Sequence, residues 1–308
     1  ADFYASDRIL CNGNSTTFHD VSFNAPVVSR LWEFEGGVPA TSTELNPIVN
    51  YSTEGWHTVK LTVTNENGSN TKIFENYLNV SKSDAIYDAT YFADFNDETS
   101  TKQDWIFYNK YPDDREWKWR SSNGYWNSSC VWLNSRYGPD LETDIIISPA
   151  FDLALNLTDN VFFKYATTSY GVGEVDYTMS LKIYYSINCG DTWVYMNKLT
   201  GAELISSYGG SSDFYPQYPD QWASAVFNLP ESAKTNHVQF KFEFVYNPYV
   251  NNIFIDDFNF TTGVLSTPAP EAFITLKMSP NPVSAKNTAA LYYNVVEQCA
   301  ITLEITDI

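Results

Sequence analysis

Residues 181–196 read LKIYYSINCGDTWVYM. Two runs of alternating apolar residues flank the segment NCGD at 188–191. Asn, Gly and Asp between such runs predict the turn of a β-hairpin, because Gly190 can adopt the positive φ that tight turns require. Trp193 then restarts the second strand with a large apolar anchor. We expect the long middle part of the chain to be built around this hairpin.

The composition points to an extracellular type of β protein. The chain has 308 residues, enough for two or three domains, and its aromatic content is 17%. Aromatic side chains favour half-buried strands, so we expect an all-β fold. The formal net charge of −19 argues against nucleic acid and anionic lipid as partners, since both need a basic patch. No apolar run is long enough to predict a membrane span.

The N-terminal part, residues 1–82, contains the clearest period-two alternation. Residues 56–63 read WHTVKLTV, and several shorter alternating runs are separated by turn residues. Six or seven short strands in this length predict a small β-sandwich. The segments LWEFEGG at 31–37 and GWHTVKLTVTN at 55–65 resemble the core of PKD domains. This resemblance implies an immunoglobulin-like spacer without catalytic activity, although Glu33 stands where the family usually has Asp.

The middle part, residues 87–263, contains about ten strand candidates and is expected to form a larger jelly-roll β-sandwich. It resembles the jelly-roll modules of MAM domains and of cleaved adhesins. The resemblance is carried by FADF at 92–95, ISPAFDL at 147–153, SINCGDTW at 186–193 and NIFIDDF at 252–258. Together with a preceding PKD domain, this arrangement is similar to the C-terminal region of secreted cytophagalysin-type zinc metallopeptidases.

The last part, residues 270–308, is expected to be a partial small β-sandwich. Its segment MSPNPV at 278–283 resembles the opening of a type IX secretion C-terminal sorting domain, without that family's later Gly-rich turns and basic tail. These resemblances imply an upstream catalytic domain in the same polypeptide and passage through the type IX secretion machinery. They also imply a location that is secreted or on the outer surface of a Gram-negative cell.

Catalytic motifs are not visible in the sequence. The histidines are His19, His57 and His237, and none is followed by Glu, as a His-Glu-x-x-His zinc site requires. The segment GGSS at 209–212 lacks the second glycine of a serine nucleophile motif. We therefore expect a chain without enzymatic activity. A glycoside hydrolase stays open as the weakest alternative, because sequence alone cannot pair two carboxylates across a cleft.

A structural Ca²⁺ site is expected where the first and last jelly-roll strands meet. Asp94, Asn96 and Asp97 follow the first strand, and Asp256 lies on the last one. Oxygen ligands of this kind suit Ca²⁺, and related adhesin modules bind calcium. Asp257 should point to the opposite face from Asp256. The alternative is that these residues only form turns and accept backbone hydrogen bonds.

Aromatic residues in loop-like stretches are the candidates for ligand binding. Flat rings with polar neighbours stack on sugar faces or anchor a protein partner, so a polysaccharide or a protein surface is the expected ligand. The alternative is that the rings plug long loops. The rings we select are Trp117, Trp126, Tyr208, Tyr215 and Tyr218.

Four cysteines occur, Cys11, Cys130, Cys189 and Cys299, without a Cys-x-x-Cys pair. Cys130 and Cys189 both lie in the middle part and are the pair expected to form a disulfide if one forms, the alternative being buried free thiols. Taken together, the sequence predicts a non-catalytic accessory region of a larger secreted protein, most readily a zinc metallopeptidase. A stand-alone adhesin or carbohydrate-binding protein is the second hypothesis.

Overall fold

The computed structural model describes residues 1–262 and two later strands. Within the first range it does not describe residues 25, 83, 86, 110–113, 137, 140, 156–157, 170–178, 208–212 and 248–250. Beyond it, residues 277–279 and 290–292 are described. The segment 1–263 forms one compact unit.

The first module is a β-sandwich. Its strands are β1 (Phe3–Ala5), β2 (Ile9–Cys11), β3 (Ser15–Asp20), β4 (Ser29–Phe34), β5 (Gly37–Val38), β6 (Thr41–Ser42), β7 (Ile48–Tyr51), β8 (Gly55–Asn65) and β9 (Gly68–Ser81). In the described part of the chain they form a sheet β2-β9-β8-β4-β6 and a sheet β1-β3-β7-β5. In β8 alternate residues, including Val59 and Leu61, are buried around Trp32, which confirms the predicted alternation.

The second module is a larger β-sandwich with one short helix. Its elements are β10 (Tyr87–Asp88), β11 (Phe92–Ala93), α1 (Glu98–Asp104), β12 (Ile106–Tyr108), β13 (Trp117–Arg120), β14 (Cys130–Leu133), β15 (Thr143–Ile147), β16 (Phe151–Asp152), β17 (Asn160–Ala166), β18 (Ser180–Ser186), β19 (Val194–Thr200), β20 (Ala223–Asn228), β21 (Gln239–Val245) and β22 (Ile253–Thr261). Short 3₁₀ turns occupy Tyr125–Asn127, Gly201–Glu203, Pro219–Gln221 and Glu231–Ala233. The all-β fold predicted from the sequence is confirmed.

Two sheets pack face to face in the second module. Among the described residues, the front sheet has the order β13-β14-β22-β17-β20, with β11 paired to β22. The back sheet has the order β12-β15-β21-β18-β19, and it contains the predicted hairpin, in which Tyr185 pairs with Val194. The core between the sheets is aromatic, with Phe163 and Phe242 in a T-shaped contact whose ring centroids are 5.2 Å apart.

The first module packs against the outer face of the back sheet. Ile9 and Trp56 of the first module contact a cluster of Ile106, Ile145 and Ile147. This contact covers part of the outer side of the back sheet, while two loops of the second module cover the outer face of the front sheet.

Two further strands, β23 (Lys277–Ser279) and β24 (Ala290–Tyr292), pair antiparallel. The other residues of the predicted sorting domain at 270–308 lie outside the described residues, and so does the PNP motif at 280–282.

Candidate ligand-binding face

The outer face of the front sheet carries aromatic side chains in place of the usual polar ones. Val131 pairs with Ile255 on the core side, so the next pair, Trp132 and Phe254, points outward. Their rings are stacked, with centroids 6.0 Å apart and planes inclined by 20°. An apolar outer face must be covered, and two loops of the second module, residues 121–129 and 213–222, cover it.

Phe254 is the centre of this outer cluster. Phe214, Tyr215 and Trp222 from the second loop surround it, at centroid distances of 6.0, 6.1 and 6.4 Å. Phe254 is fully buried although it lies on the outside of the sheet. Many of the loop aromatics therefore cover the outer face of the front sheet, which agrees with the alternative to ligand binding. Within the described residues of the two loops, the rings that stay exposed are those of Trp126 and Tyr218.

The first loop is fixed by a buried carboxylate. Asp256, on the outer face of β22, accepts hydrogen bonds from the backbone amide of Tyr125 (2.7 Å) and from Ser128 Oγ (2.9 Å). Ser128 Oγ also contacts the carbonyl oxygen of Tyr125 at 2.6 Å, and its single proton serves one of these acceptors at a time. A Cβ on Gly124 would collide with Ser128 Oγ, the Ser129 carbonyl oxygen and the Asp256 carboxylate. Only glycine fits at this position.

Trp126, at the tip of that loop, is the most exposed tryptophan described. Its side chain is 73% exposed, and its backbone adopts a left-handed φ of 54°. Its ring contacts the ring of Tyr125 edge-on at 5.8 Å. A left-handed conformation of a non-glycine residue costs about 1–2 kcal/mol. Neither the strained backbone nor the exposed ring stabilises the fold. The hydrogen bonds of Asp256 to Tyr125 and Ser128 hold the turn in this conformation.

The second loop is tied down at several points. The Phe214 amide donates to Asn251 Oδ1 (2.9 Å), and Asn123 of the first loop donates to the Pro216 carbonyl oxygen (3.0 Å), which links the two loops. Gln221 Oε1 accepts from the amide of Tyr218 (3.1 Å). The Tyr218 ring is 67% exposed on this braced loop. We define Tyr125, Trp126, Trp132, Tyr215 and Tyr218 as the aromatic face.

Two cations lie among these rings. The guanidinium of Arg120 lies 4.6 Å from the ring centroid of Tyr215 and 5.2 Å from that of Trp132, and its Nε donates to Asn123 Oδ1. Lys164 Nζ lies 4.4 Å from the ring centroid of Tyr125. Cation–π contacts of this kind hold the rings in place and leave polar groups at the edge of the aromatic face.

The structure sorts the five ring residues predicted from the sequence. Tyr215 packs on Trp132 and Phe254, while Trp126 and Tyr218 are exposed on the two loops that cover the front sheet. The prediction that Trp117 is a ligand-binding ring was wrong. Trp117 points into the core with 2% exposure, and its Nε1 donates to the Asp144 carbonyl oxygen (3.3 Å). Tyr208 lies outside the described residues.

Trp132 and Arg120 were not among the ligand-binding residues predicted from the sequence. The alternation of β14, in which Val131 and Leu133 face the core, is the signal that would have placed Trp132 on the outside.

The residues predicted to bind Ca²⁺ are only partly brought together. Asn96 Oδ1 accepts from the Ser129 amide (3.2 Å), next to the loop that Asp256 holds. Asp94 contacts Asn96, with Oδ1 accepting from its amide at 3.0 Å. Asp97 caps helix α1 through the amides of Thr99 and Ser100. In the described ranges no three His, Cys, Asp or Glu side chains are grouped closely enough to share a metal ion.

Asp256 is nevertheless an unusual carboxylate. It is fully buried, and its hydrogen-bond donors are two backbone amides and a hydroxyl, all uncharged. Burial raises the pKa of Asp256 to about 8, and the negative charge of Asp257 adds to the rise against the lowering effect of these hydrogen bonds. The hydroxyl of Ser128 lies 2.9 Å from its Oδ2 and also contacts the Ser129 carbonyl oxygen at 3.2 Å. Hard oxygen donors of this type fit Ca²⁺.

The cysteine pairing expected from the sequence does not form. Cys130 is a free thiol buried in β14 beneath the first loop, and burial raises its pKa. Cys189 is a free thiol in the hairpin turn of the back sheet, where its neighbours are Cys11 and His237. The two thiols cannot pair, because Cys130 belongs to the front sheet and Cys189 to the hairpin of the back sheet.

Comparison with known proteins identifies part of the chain. Residues 1–77 match the PKD domain family. This match confirms the resemblance of the first module, hereafter the PKD module. No curated protein matches the chain significantly.

Several solved structures align with the chain at low similarity. The K3 cleaved adhesin domain of Lys-gingipain from Porphyromonas gingivalis is 12% identical, over 56% of this chain and 98% of that chain, with a TM-score of 0.38. Caldicellulosiruptor saccharolyticus CBM27-1 in complex with mannohexaose is 14% identical, over 56% of this chain and 96% of that chain, with a TM-score of 0.38. Likenesses this weak do not transfer a function.

None of the helices in the described residues has the length and apolar character needed to cross a membrane.

Proposed function

We propose that this chain is a non-catalytic binding region whose aromatic face holds a polysaccharide. The observation that supports this most directly is Trp126, an exposed tryptophan on a strained turn that a buried carboxylate braces. Tyr218 on the neighbouring loop provides a second exposed ring. The sugar class is left open, because both rings recognise the apolar face that most pyranose units share.

The physical basis is stacking on a prepared surface. A pyranose presents C–H groups on one face, and burying them against an indole ring removes apolar area from water at about 25 cal/mol per Å². Since both loops are already hydrogen-bonded in place, little conformational entropy is lost on binding. Among the described residues, Arg120, at the edge of the aromatic face, donates to Asn123 through Nε alone, so its remaining guanidinium N–H groups offer donors to sugar hydroxyls.

The test is the Trp126→Ala variant in affinity electrophoresis and pull-down with a panel of soluble and insoluble polysaccharides. A hot-spot ring contributes about 2 kcal/mol or more, which corresponds to roughly thirtyfold in affinity. Tyr195→Ala is the matched control, because Tyr195 is 53% exposed on the back sheet. Equal retention of both variants, or no retention of the unmodified protein by any polysaccharide, would contradict the proposal.

A protein surface is the second candidate ligand. Tyr, Trp and Arg are the residue types that dominate protein–protein hot spots, and the aromatic face is built from them. Retention of the protein on host or bacterial cell-surface protein, lost in Trp126→Ala and insensitive to competing polysaccharides, would favour this candidate.

A glycoside hydrolase is disfavoured on this face. The carboxylate that the front sheet contributes there is Asp256, which is fully buried and engaged with Tyr125 and Ser128. A glycosidase needs carboxylates that reach both sides of the scissile bond. Reducing-sugar release from the same polysaccharide panel would overturn this view.

A structural Ca²⁺ ion remains part of the proposal. Asp256, Asn96 and the Ser129 carbonyl oxygen would hold it, and the ion would cross-link the first loop to β22. An ion that binds only the folded state raises the unfolding midpoint. We expect Ca²⁺ to raise the midpoint relative to EDTA in the unmodified protein and not in Asp256→Asn. Identical midpoints in both buffers would remove the ion from the proposal.

The wider setting is supported by sequence resemblance alone. An upstream zinc metallopeptidase domain, type IX secretion and a Gram-negative cell surface follow from the motifs at 186–193 and 278–283. The polypeptide that contains this chain would then carry a His-Glu-x-x-His helix upstream. A full-length reading frame without that motif would favour the stand-alone adhesin.

A further inference from the structure

Cys11 and Cys189 meet where the PKD module packs against the hairpin of the back sheet. Cys11 ends strand β2, and Cys189 lies in the turn between β18 and β19. Cys11 Sγ donates a hydrogen bond to the carbonyl oxygen of Asn188 (3.0 Å), the residue directly before Cys189. The two thiols are close enough that each shifts the pKa of the other. Both side chains are partly exposed, so a small reagent can reach them.

The turn that carries Cys189 is held rigidly. Ser186 Oγ accepts from the Gly190 amide (2.8 Å), and Asn188 Oδ1 accepts from the Thr192 amide (3.0 Å). On the far side of the turn, Asn14 Nδ2 donates to Asp191 Oδ1 (3.0 Å), which clamps the turn to the PKD module. The two thiols are therefore brought together by the packing of the modules and by contacts on both sides of Cys189.

His237 is the third member of this group. Its Nε2 contacts the Lys82 carbonyl oxygen (3.3 Å), while its buried Nδ1 has no well-formed hydrogen bond within the described residues. The thiol of Cys189 is the side chain next to it. An imidazole beside a thiol takes up its proton and leaves the reactive thiolate, as in other activated cysteines.

The two thiols differ in acidity. Burial by itself would raise the pKa of Cys189, but interactions with His237 and with Cys11 outweigh it, and the pKa is lowered, against an opposing contribution from Asp191. Burial and the adjacent Cys189 raise the pKa of Cys11. The adjacent Cys189 thiol raises the pKa of His237, against the lowering effect of burial. One thiol is thus the attacking nucleophile, and the other stays protonated until the second step.

We propose that Cys11 and Cys189 form a disulfide that covalently joins the PKD module to the back sheet in an oxidising environment. The oxidant is a low-molecular-weight disulfide of the glutathione type. The Cys189 thiolate attacks one of its sulfurs, breaks the S–S bond, forms a mixed disulfide and releases one thiolate. The released thiolate takes the proton that His237 received from Cys189, which frees the imidazole to accept the proton of Cys11. The Cys11 thiolate then attacks the Cys189 sulfur and displaces the second small thiolate, which takes up that proton from His237.

The electron balance closes with these partners. The two cysteine thiols lose two electrons and two protons, and the small disulfide is reduced to two small thiols. A bound metal ion would explain the approach of Cys11, Cys189 and His237 less well, because the described residues contain no group of three His, Cys, Asp or Glu side chains arranged to hold one. Cys130 is not a competitor, since it is fully buried in the front sheet.

The experiment equilibrates the whole 308-residue chain in mixtures of oxidised and reduced glutathione, traps thiols by alkylation and maps disulfides by mass spectrometry. We expect a peptide linked between Cys11 and Cys189 to accumulate as the mixture becomes more oxidising, with the loss of two hydrogen atoms. It should persist in Cys130→Ser, the matched control, and disappear in Cys11→Ser and Cys189→Ser. Oxidation should raise the unfolding midpoint of the unmodified protein and not that of Cys11→Ser.

The role of His237 is tested separately, by the rate at which the mixed disulfide forms. His237→Gln should slow formation of the mixed disulfide at neutral pH and lose this defect at a pH where free thiols ionise, with the same final linkage. A variant rate that matches the unmodified protein at every pH would remove His237 from the mechanism. Full alkylation of both thiols in the most oxidising mixture, or a link from Cys189 to Cys130 or Cys299, would overturn the disulfide.

Discussion

The carboxylate of Asp256 accepts a 2.7 Å hydrogen bond from the backbone amide of Tyr125, a residue 131 positions earlier in the chain. This bond joins the last strand of the front sheet to the turn that exposes Trp126. A buried acid, which is costly to keep charged, thus supports the side chain with which we expect the protein to bind. The predictions below test this relationship and the packing of the two modules.

Replacing Trp126 should separate binding from stability. Because residue 126 has a φ of 54° and the ring is exposed, Trp126→Gly relieves strain and removes little buried area. We expect the free energy of unfolding to stay the same or to rise by about 1 kcal/mol, while polysaccharide binding is lost. Urea denaturation and affinity electrophoresis measure the two quantities.

Asn127→Gly is the control for that variant. Asn127 also has a left-handed φ, of 63°, and carries no ring. This variant should gain similar stability and keep its binding. Loss of binding in Asn127→Gly would mean that the rigidity of the turn matters more than the Trp126 ring.

Gly124→Ala should damage the loop from within. The added Cβ would collide with Ser128 Oγ, the Ser129 carbonyl oxygen and Asp256. We expect a loss of about 1–3 kcal/mol of stability and weaker ligand binding. Gly13→Ala, where the Cβ enters open space but φ is +87°, should cost only about 1 kcal/mol of backbone strain and leave binding intact. Equal effects of the two variants would argue against close packing at Gly124.

The raised pKa of Asp256 predicts a pH dependence of stability in metal-free buffer with EDTA. The pKa of Asp256 in the folded state is about 8, against an ordinary value of 3.8, so between these values the folded state binds more protons than the unfolded state. The contribution of Asp256 to the free energy of unfolding is therefore highest below pH 4, falls as the pH rises through this window and is constant above about pH 8.

Asp256→Asn should remove this slope, because the amide does not titrate and still offers an oxygen to the Tyr125 amide. Chemical denaturation of both proteins at several pH values gives the comparison. Parallel pH profiles for the two proteins would show that Asp256 keeps an ordinary pKa.

Arg8 should couple the PKD module to the second module. Its Nε donates to the Tyr77 carbonyl oxygen (2.8 Å), its Nη1 donates to the Asn109 carbonyl oxygen (3.2 Å), and the guanidinium lies 4.8 Å from the ring centroid of Tyr108. We expect Arg8→Ala to split a single calorimetric unfolding transition into two. Arg30→Ala removes an ion pair with Asp20 inside the PKD module and should lower its stability without splitting the transition.

Local sequence pattern was enough to predict the strands. Alternation along β8 and around the 181–196 hairpin reflects which side chains face the core, and that periodicity can be read from one segment at a time. The turn at Gly190 was likewise predictable, since its φ of +92° suits glycine. The PKD resemblance was visible for the same reason, because its motif lies within continuous strands.

The fate of individual side chains was not predictable from those patterns. Trp117 and Trp126 both occur in aromatic, loop-like stretches, yet one ring is buried and the other is exposed, because only strand pairing and loop position decide which face a residue occupies. Asp256 and Tyr125 are distant in sequence and adjacent in space. The prediction of a disulfide between Cys130 and Cys189 was wrong for the same reason, since strand pairing places the two cysteines on opposite sheets.

The sequence by itself determined the all-β class, the hairpin and the PKD module, because alternation, turn chemistry and strand motifs act over a few neighbouring residues. The tertiary structure alone decided that the loops carrying Trp126 and Tyr218 are linked, that Asp256 is buried beneath the first loop and that Cys11 lies beside the turn of Cys189. Each of these depends on pairing between strands far apart in the chain, which is set by the burial of the whole apolar surface and not by any one segment.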